Sequence, residues 1–212
     1  MKPKIISTIC TLALGAALLQ STQALAQTEK PASTVSLADM KSQFALLQTD
    51  INSAVEALNY VKESAKKPAE LNKAAGVLGR AFETMQARVN TLQTNAVSVK
   101  ARVKEHYEAW SKQLTGMGNA NLREKAQERL TESQKEFDKI VVQATEAKEQ
   151  VLPFVSAVKD VVIYLGADLS DEAVKSLSGD IWKLGNRSKS VNSSIQDVVE
   201  QIDRTIKSLP QK

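Results

Sequence analysis

Apolar residues recur along this chain at alternating spacings of three and four from residue 37 onward. In the first segment with this pattern they are Leu37, Met40, Phe44, Leu47, Ile51, Ala54, Leu58 and Val61. Such spacing places the side chains on one stripe of a helix, and its regularity over several heptads is typical of a coiled-coil seam. Ser36 and Asp39 have the spacing of a capping box and predict the start of this helix, and Pro68 predicts its end.

Three further segments have the same heptad pattern and predict three more helices. The second follows Pro68 and ends at the glycine-rich break 116–119, the third runs over 122–165, and the fourth over 170–209. Short connections make consecutive helices antiparallel. The sequence therefore predicts an all-α fold, an elongated antiparallel four-helix bundle or coiled coil with heptad seams. Because the second and third helices are the longest, we expect their connecting end to project beyond the first helix.

Many seam positions hold small side chains, which predicts a thin, rod-like core. They include Ala54, Ala96, Ser133, Ala144, Ala147 and Ser188. Composition favours the same fold, since sandwiches and barrels need a turn every 8–12 residues or so and draw on aromatics for their strands. The chain has only 8 Gly, 5 Pro and 4% aromatic residues, so it has material for few turns.

The first 26 residues have the pattern of a signal peptide. Lys2 and Lys4 precede an apolar run that is short for a membrane span, and Ala24 and Ala26 provide an A-x-A cleavage site. An uncleaved anchor is the alternative, whereas lipidation is rejected because Cys10 lies inside the apolar run. The predicted organisation is a signal peptide over 1–26, a flexible leader over 27–35 and a helical bundle domain over 36–209.

Charge and apolar content limit the partners of the mature chain. Loss of Lys2 and Lys4 with the signal peptide lowers the net charge from +4 to +2, which gives no electrostatic case for nucleic acid. The most apolar remaining stretch, 151–165, is interrupted by Pro153, Lys159 and Asp160, so we expect no transmembrane segment in the mature chain. The chain is expected to be exported, to the periplasm of a Gram-negative bacterium.

The second half of the chain resembles a known family. The segments HYEAWSKQLTGMGNANLREKAQERLTESQKEFDKI and VLPFVSAVKDVVIYLGADLSDEAVKSLSGDI are similar to a bacterial envelope family designated domain of unknown function 2959. The resemblance implies an exported, coiled-coil-rich helical protein and supplies no catalytic residues. The chain departs from the family pattern at Gly166-Ala167, where members often have a His-Asn pair. The matching landmarks are Trp110, 119–123, Pro153, Tyr164-Leu165, Leu169, Ala173 and Ser176-Leu177.

The residue types needed for chemistry in a helical bundle are nearly absent from the sequence. Di-iron bundles use two Glu-x-x-His motifs, c-type haem needs C-x-x-C-H, and many zinc sites use Cys and His. The chain has one His and one Cys, and Cys10 leaves with the predicted signal peptide. We therefore expect no catalytic residue, no metal site, no cofactor and no enzymatic activity.

Three residues are candidates for interaction. Trp182 directly follows the seam residue Ile181 and is expected at the edge of the seam, where a partner or the next helix would cover it. His106 is a pH-sensitive contact near the end of the middle hairpin or, the interpretation we favour, a partly exposed seam histidine hydrogen-bonded to a neighbouring helix. Trp110 is an interface anchor or, again favoured, part of the core.

Two functions follow as expectations. The first is a non-enzymatic envelope protein that acts through contacts with an envelope protein partner of unknown identity, with self-association through unused seam edges as a variant. The alternative is a carrier that opens around Pro153 and binds an apolar small molecule beside Phe154, Val158 and Trp182. The small seam residues argue against a pocket of that kind.

Overall fold

A computed structural model describes residues 35–208. These residues form four helices, α1 (Leu37–Ser64), α2 (Pro68–Thr115), α3 (Ala120–Ala167) and α4 (Asp171–Ser208). At 1.5 Å per residue, α2 and α3 are each roughly 70 Å long. The predicted signal peptide, the leader up to Thr34 and the chain end from Leu209 lie outside the described residues.

The helix starts follow the local sequence signals. The Ser36 hydroxyl accepts a hydrogen bond from the Asp39 backbone N–H at 3.1 Å, and the Asp39 carboxylate accepts one from the Ser36 N–H at 2.7 Å. This confirms the predicted capping box of α1. At α4, the Ala173 N–H donates to the Ser170 hydroxyl at 3.1 Å. Each cap satisfies backbone N–H groups that have no partner within the helix.

The four helices form a closed ring in which α1 packs against α2 and α4, and α3 packs against the same two helices. Contacts between α1 and α4 show that they are antiparallel. Lys41 near the start of α1 pairs with Asp203 near the end of α4 at 2.7 Å, whereas Asn52 further along α1 accepts a hydrogen bond from Asn192 earlier in α4. The predicted all-helical antiparallel bundle is confirmed.

The core is continuous and receives side chains from all four helices. Seam residues of α1 are buried from Met40 to Val61, with Ile51 and Leu58 fully inside. The other helices contribute residues such as Leu78, Phe154 and Ile195, which also have no exposed surface. The heptad spacing therefore identifies most of the buried stripe where four helices lie side by side, although the seam residue Ala96 is exposed.

Beyond this four-helix body, α2 and α3 continue as a two-helix hairpin, here called the overhang (residues 103–133). Arg102 in α2 donates to the carbonyl of Val35, just before α1 begins, so the part of α2 that follows has no α1 beside it. The Tyr107 hydroxyl donates to the Ser133 carbonyl at 2.8 Å and joins the two arms. The overhang extends the bundle by roughly 20 Å, which confirms the predicted projection of the middle hairpin.

The predicted seam is not buried along the overhang. Leu114 and Leu130 are buried there, but Val103 and Trp110 are half-buried, and Leu122, a predicted seam residue, is 56% exposed. Two helices cover only the line along which they touch, whereas a seam in the body is also covered by α1 and α4. The sequence-based expectation that Trp110 belongs to the core is therefore wrong.

One helix of the described chain, α3, contains an 18-residue stretch with a mean hydropathy of 1.4, long and apolar enough to cross a membrane. A third of that stretch is buried inside the bundle. The expectation of no transmembrane segment in the mature chain stays a prediction, since this stretch does not test it. Core helices of soluble proteins meet the same criterion of length and hydropathy, so the stretch does not distinguish a core helix from a membrane-spanning helix.

Candidate functional site

The most exposed large aromatic side chain in the described chain is Trp182 on α4, which is 66% exposed although Ile181 beside it is buried. Its neighbours on the same helix face are small. A Cβ added at Gly179, one turn before, would meet nothing within 4 Å, and one added at Gly185, one turn after, would meet only Val55 at 4.0 Å. The indole is therefore accessible to a partner, and no neighbouring helix covers it.

A cavity of about 410 Å³ lies between α3 and α4, and some of its lining residues are close to Trp182 in the sequence. Its lining includes two acidic and two basic residues, Asp160, Asp180, Lys183 and Arg187. Lys183 pairs with Asp180 at 3.0 Å. The surface of α4 thus has an exposed indole at Trp182 and, in the nearby cavity, charges of both signs.

His106 lies on the surface of the overhang, with its ring centroid 6.0 Å from that of Trp110 and 5.9 Å from that of Tyr107. No hydrogen bond joins it to a neighbouring helix among the described residues, so the interpretation as a hydrogen-bonded seam histidine is wrong. The reason is that α1 begins near Arg102, so α1 does not run alongside the overhang. A role of His106 as a pH-sensitive contact stays a prediction.

A cavity of about 730 Å³ at the base of the overhang brings His106 and Tyr107 together with Val35 and Ile206, close to both ends of the described chain. Burial raises the pKa of the Tyr107 hydroxyl above its usual value, although the hydrogen bond to Ser133 acts in the opposite direction. Trp182 precedes Ile206 on α4 by roughly 35 Å. The structure therefore brings His106 and Trp110 together and separates both from Trp182.

The expected ligand pocket beside Phe154, Val158 and Trp182 is not formed. Phe154 and Val158 have no exposed surface, whereas Trp182 is mostly in solvent, so the three do not share an open cavity. Within residues 35–208, no group of three His, Cys, Asp or Glu side chains is placed to hold a metal ion.

Sequence reasoning missed an apolar groove between α2 and α3, here called the α2/α3 groove. It consists of two adjoining cavities of about 190 and 90 Å³ that share Phe44, Ala96, Ala144 and Lys148. Ala96 is exposed and Ala144 is half-buried, so these small residues leave space between the helices. The small seam residues were taken as an argument against a pocket, but here alanines border an open groove, and they were the signal that could have indicated it.

Basic residues occur along the overhang, among them Lys104, Lys112, Arg123 and Lys125. Acidic residues are interleaved with them, and Lys104 lies 3.9 Å from Glu108. Exposed pairs of this kind contribute about 0–1 kcal/mol each. The overhang surface is therefore of mixed charge and is not a uniform cationic patch.

No curated protein and no solved structure gave a significant match. A family profile described as "Protein of unknown function (DUF2959)" matches residues 26–209. That range includes all four helices, Trp182 and the overhang, so the resemblance noted for the second half extends over the first half as well. The chain belongs to this family, DUF2959.

Proposed function

We propose that this chain is an exported, non-enzymatic helical protein of the bacterial cell envelope that acts by binding another protein through the surface around Trp182. The exposure of Trp182 carries the proposal. A large aromatic side chain that nothing covers exposes apolar surface to water, and covering that surface with a partner lowers the free energy. Tryptophan is also the residue type most enriched among residues that dominate binding energy at interfaces. Gly179 and Gly185 on either side leave a partner room to surround the indole.

The amino-terminal sequence supports export. A basic start, an apolar run and the Ala24–Ala26 pattern fit a cleaved signal peptide. The region matched by the family profile begins at residue 26, directly at the proposed cleavage site. A chain that lost residues 1–26 would contain no cysteine, so its fold in an oxidising compartment would depend on packing alone.

The proposal of a non-enzymatic role is supported by the chemistry of the described side chains. The single histidine, His106, has the aromatic rings of Tyr107 and Trp110 as its neighbours. A nucleophile activated by histidine needs a hydrogen-bonded partner and a group that orients the base. The neighbours of His106 provide packing surfaces and do not provide that arrangement.

Photo-crosslinking in living cells tests the proposal. A photoreactive amino acid is placed at Trp182, and in a matched variant at Gln196, which is exposed on the same side of α4 roughly 20 Å further along the helix. We expect one discrete crosslinked species in the envelope fraction from position 182 and a much weaker yield from position 196. Equal yields, or crosslinks at neither position, would overturn the assignment of Trp182 as the docking residue.

A second candidate function, carriage of an apolar small molecule, is favoured by the α2/α3 groove. The groove is open to solvent and almost wholly apolar, as ligand sites in helical bundles commonly are. It lies on a different pair of helices from the pocket expected near Trp182. The two candidate functions therefore use different surfaces and can be tested with separate variants.

A further inference from the structure

The charged side chains that line the α2/α3 groove are all lysines. Lys100 on α2 borders the larger cavity, and Lys148 on α3 borders both cavities. Neither cavity is lined by an aspartate or a glutamate. The cavity between α3 and α4 is different, since Asp160 and Asp180 line it together with two basic residues.

Both lysines are free to receive an anion. Each is exposed, and among the described residues neither has a carboxylate within the 4.0 Å of an ion pair, in contrast to Lys104 and Lys139 on the same two helices. An apolar groove bordered by positive charge alone attracts a ligand with an apolar body and a negative group.

The shape of the groove limits what the apolar body can be. On α3 the lining runs from Phe137 to Leu152, a rise of about 20 Å along the helix. The two cavities hold about 190 and 90 Å³, so the space is long and narrow. A linear hydrocarbon chain fits such a groove, whereas a fused-ring molecule would need the helices to separate further.

We propose that the α2/α3 groove binds a free long-chain fatty acid. Its hydrocarbon chain lies over Phe44 between Ala96 and Ala144, and Lys100 and Lys148 attract its carboxylate. Small alanine side chains leave the space for the chain, and the aliphatic stems of the lysines cover it while their ammonium groups stay in water. This inference rests on the second candidate function, carriage of an apolar ligand, and is independent of Trp182.

Binding is measured on the purified mature chain after removal of lipid. A neutral probe with an unbranched chain, the methyl ester of cis-parinaric acid, reports occupancy by its polyene fluorescence, and palmitate and its methyl ester are compared as competitors. We expect palmitate to compete about tenfold more strongly than the ester, in line with two exposed charge interactions. Replacing both lysines, Lys100→Gln with Lys148→Gln, removes both positive charges and should make palmitate and the ester compete equally, so that the tenfold preference disappears.

The outcomes distinguish carriage of an apolar ligand from recognition of the carboxylate of a fatty acid. If probe, palmitate and ester all fail to bind, carriage of an apolar ligand is refuted and the fatty acid with it. If the ester binds as tightly as palmitate, the groove carries apolar molecules but the recognition of a carboxylate is wrong. Persistence of the tenfold preference in the double lysine variant would also overturn the inference, since the charge would then lie elsewhere.

A second pair of variants locates the site. Ala144→Phe fills the groove and should weaken palmitate more than tenfold, whereas Ala87→Phe, on an exposed position of α2, should leave it unchanged. Circular dichroism checks that both variants are folded, and Ala96→Leu on the opposite wall replaces Ala144→Phe if that variant is not. Unchanged palmitate affinity in the filled groove would refute the assignment. A dimer that dissociates in the groove-filling variant would instead identify the groove as an interface between two copies and would overturn it as well.

Discussion

Two leucines that the heptad pattern treats alike should differ widely in their contribution to stability. Leu58 in α1 is fully buried, whereas Leu122 in the overhang is 56% exposed. Leu58→Ala removes apolar surface and leaves a cavity among fixed neighbours, and substitutions of this kind cost about 3–5 kcal/mol. Leu122→Ala removes side-chain surface that is already largely in water and leaves no enclosed cavity. We expect it to cost less than about 1 kcal/mol.

Thermal unfolding followed by circular dichroism at 222 nm measures this difference. For a chain of this length, 1 kcal/mol corresponds to roughly 2–4 °C in Tm. Leu58→Ala should therefore lower the Tm by about 6–20 °C, and Leu122→Ala by no more than about 4 °C. Equal losses would refute the reasoning, because they would mean that Leu122 is covered in solution by a surface such as a second copy of the chain. Repeating the Leu122→Ala melt over a range of protein concentrations would then show whether that surface belongs to a second copy of the chain, because the Tm of a self-associating protein depends on concentration.

Three other substitutions test the contacts between helices and the start of the chain. Arg88→Ala should cost about 1–3 kcal/mol in urea unfolding, since Asp50, whose side chain is only 12% exposed, loses the guanidinium 3.0 Å away. The hydrogen bond and charge of Lys41 hold the pKa of Asp203 below its usual 3.8, so their contribution to stability is present above that value and lost as pH falls through the lowered pKa. Asp203→Asn should therefore lower the Tm at pH 7, and the difference from wild type should shrink as the pH falls below 3.8. Ala24→Asp should block removal of the signal peptide, and an immunoblot should then show accumulation of the longer precursor.

The body of the bundle could be predicted from the sequence because its stability depends on local and periodic features. The capping box at Ser36 and Asp39 is a contact between residues three apart, so the sequence alone contains both partners. The seam of α1 is confirmed from Met40 to Val61 because helices lie on both sides of it. In this region each level of the sequence, from cap to heptad, favours the same structure.

The burial of side chains at the base of the overhang and along it could not be predicted, because it depends on where the other helices begin and end. A heptad defines a stripe on one helix but does not state which helices cover it. His106 continues the seam of α2 and is nevertheless exposed, whereas Gln201 is polar and nevertheless buried on α4. Gln201 donates a hydrogen bond at 2.9 Å to Glu136 on α3, a pairing between residues far apart in sequence that satisfies its buried amide.

The small seam residues at the α2/α3 groove likewise show that the heptad pattern of one helix does not predict whether a side chain is buried. Ala54 and Ala96 both occupy seam positions, yet Ala54 is fully buried and Ala96 is exposed. An alanine closes a core when the neighbouring helices can approach, and it opens a groove when larger side chains hold them apart. At Ala96 the ring of Phe44 from α1 forms part of the groove lining between α2 and α3. The wall of the groove therefore includes a residue about fifty positions away in sequence, and a heptad pattern that concerns α2 and α3 alone contains no information about it.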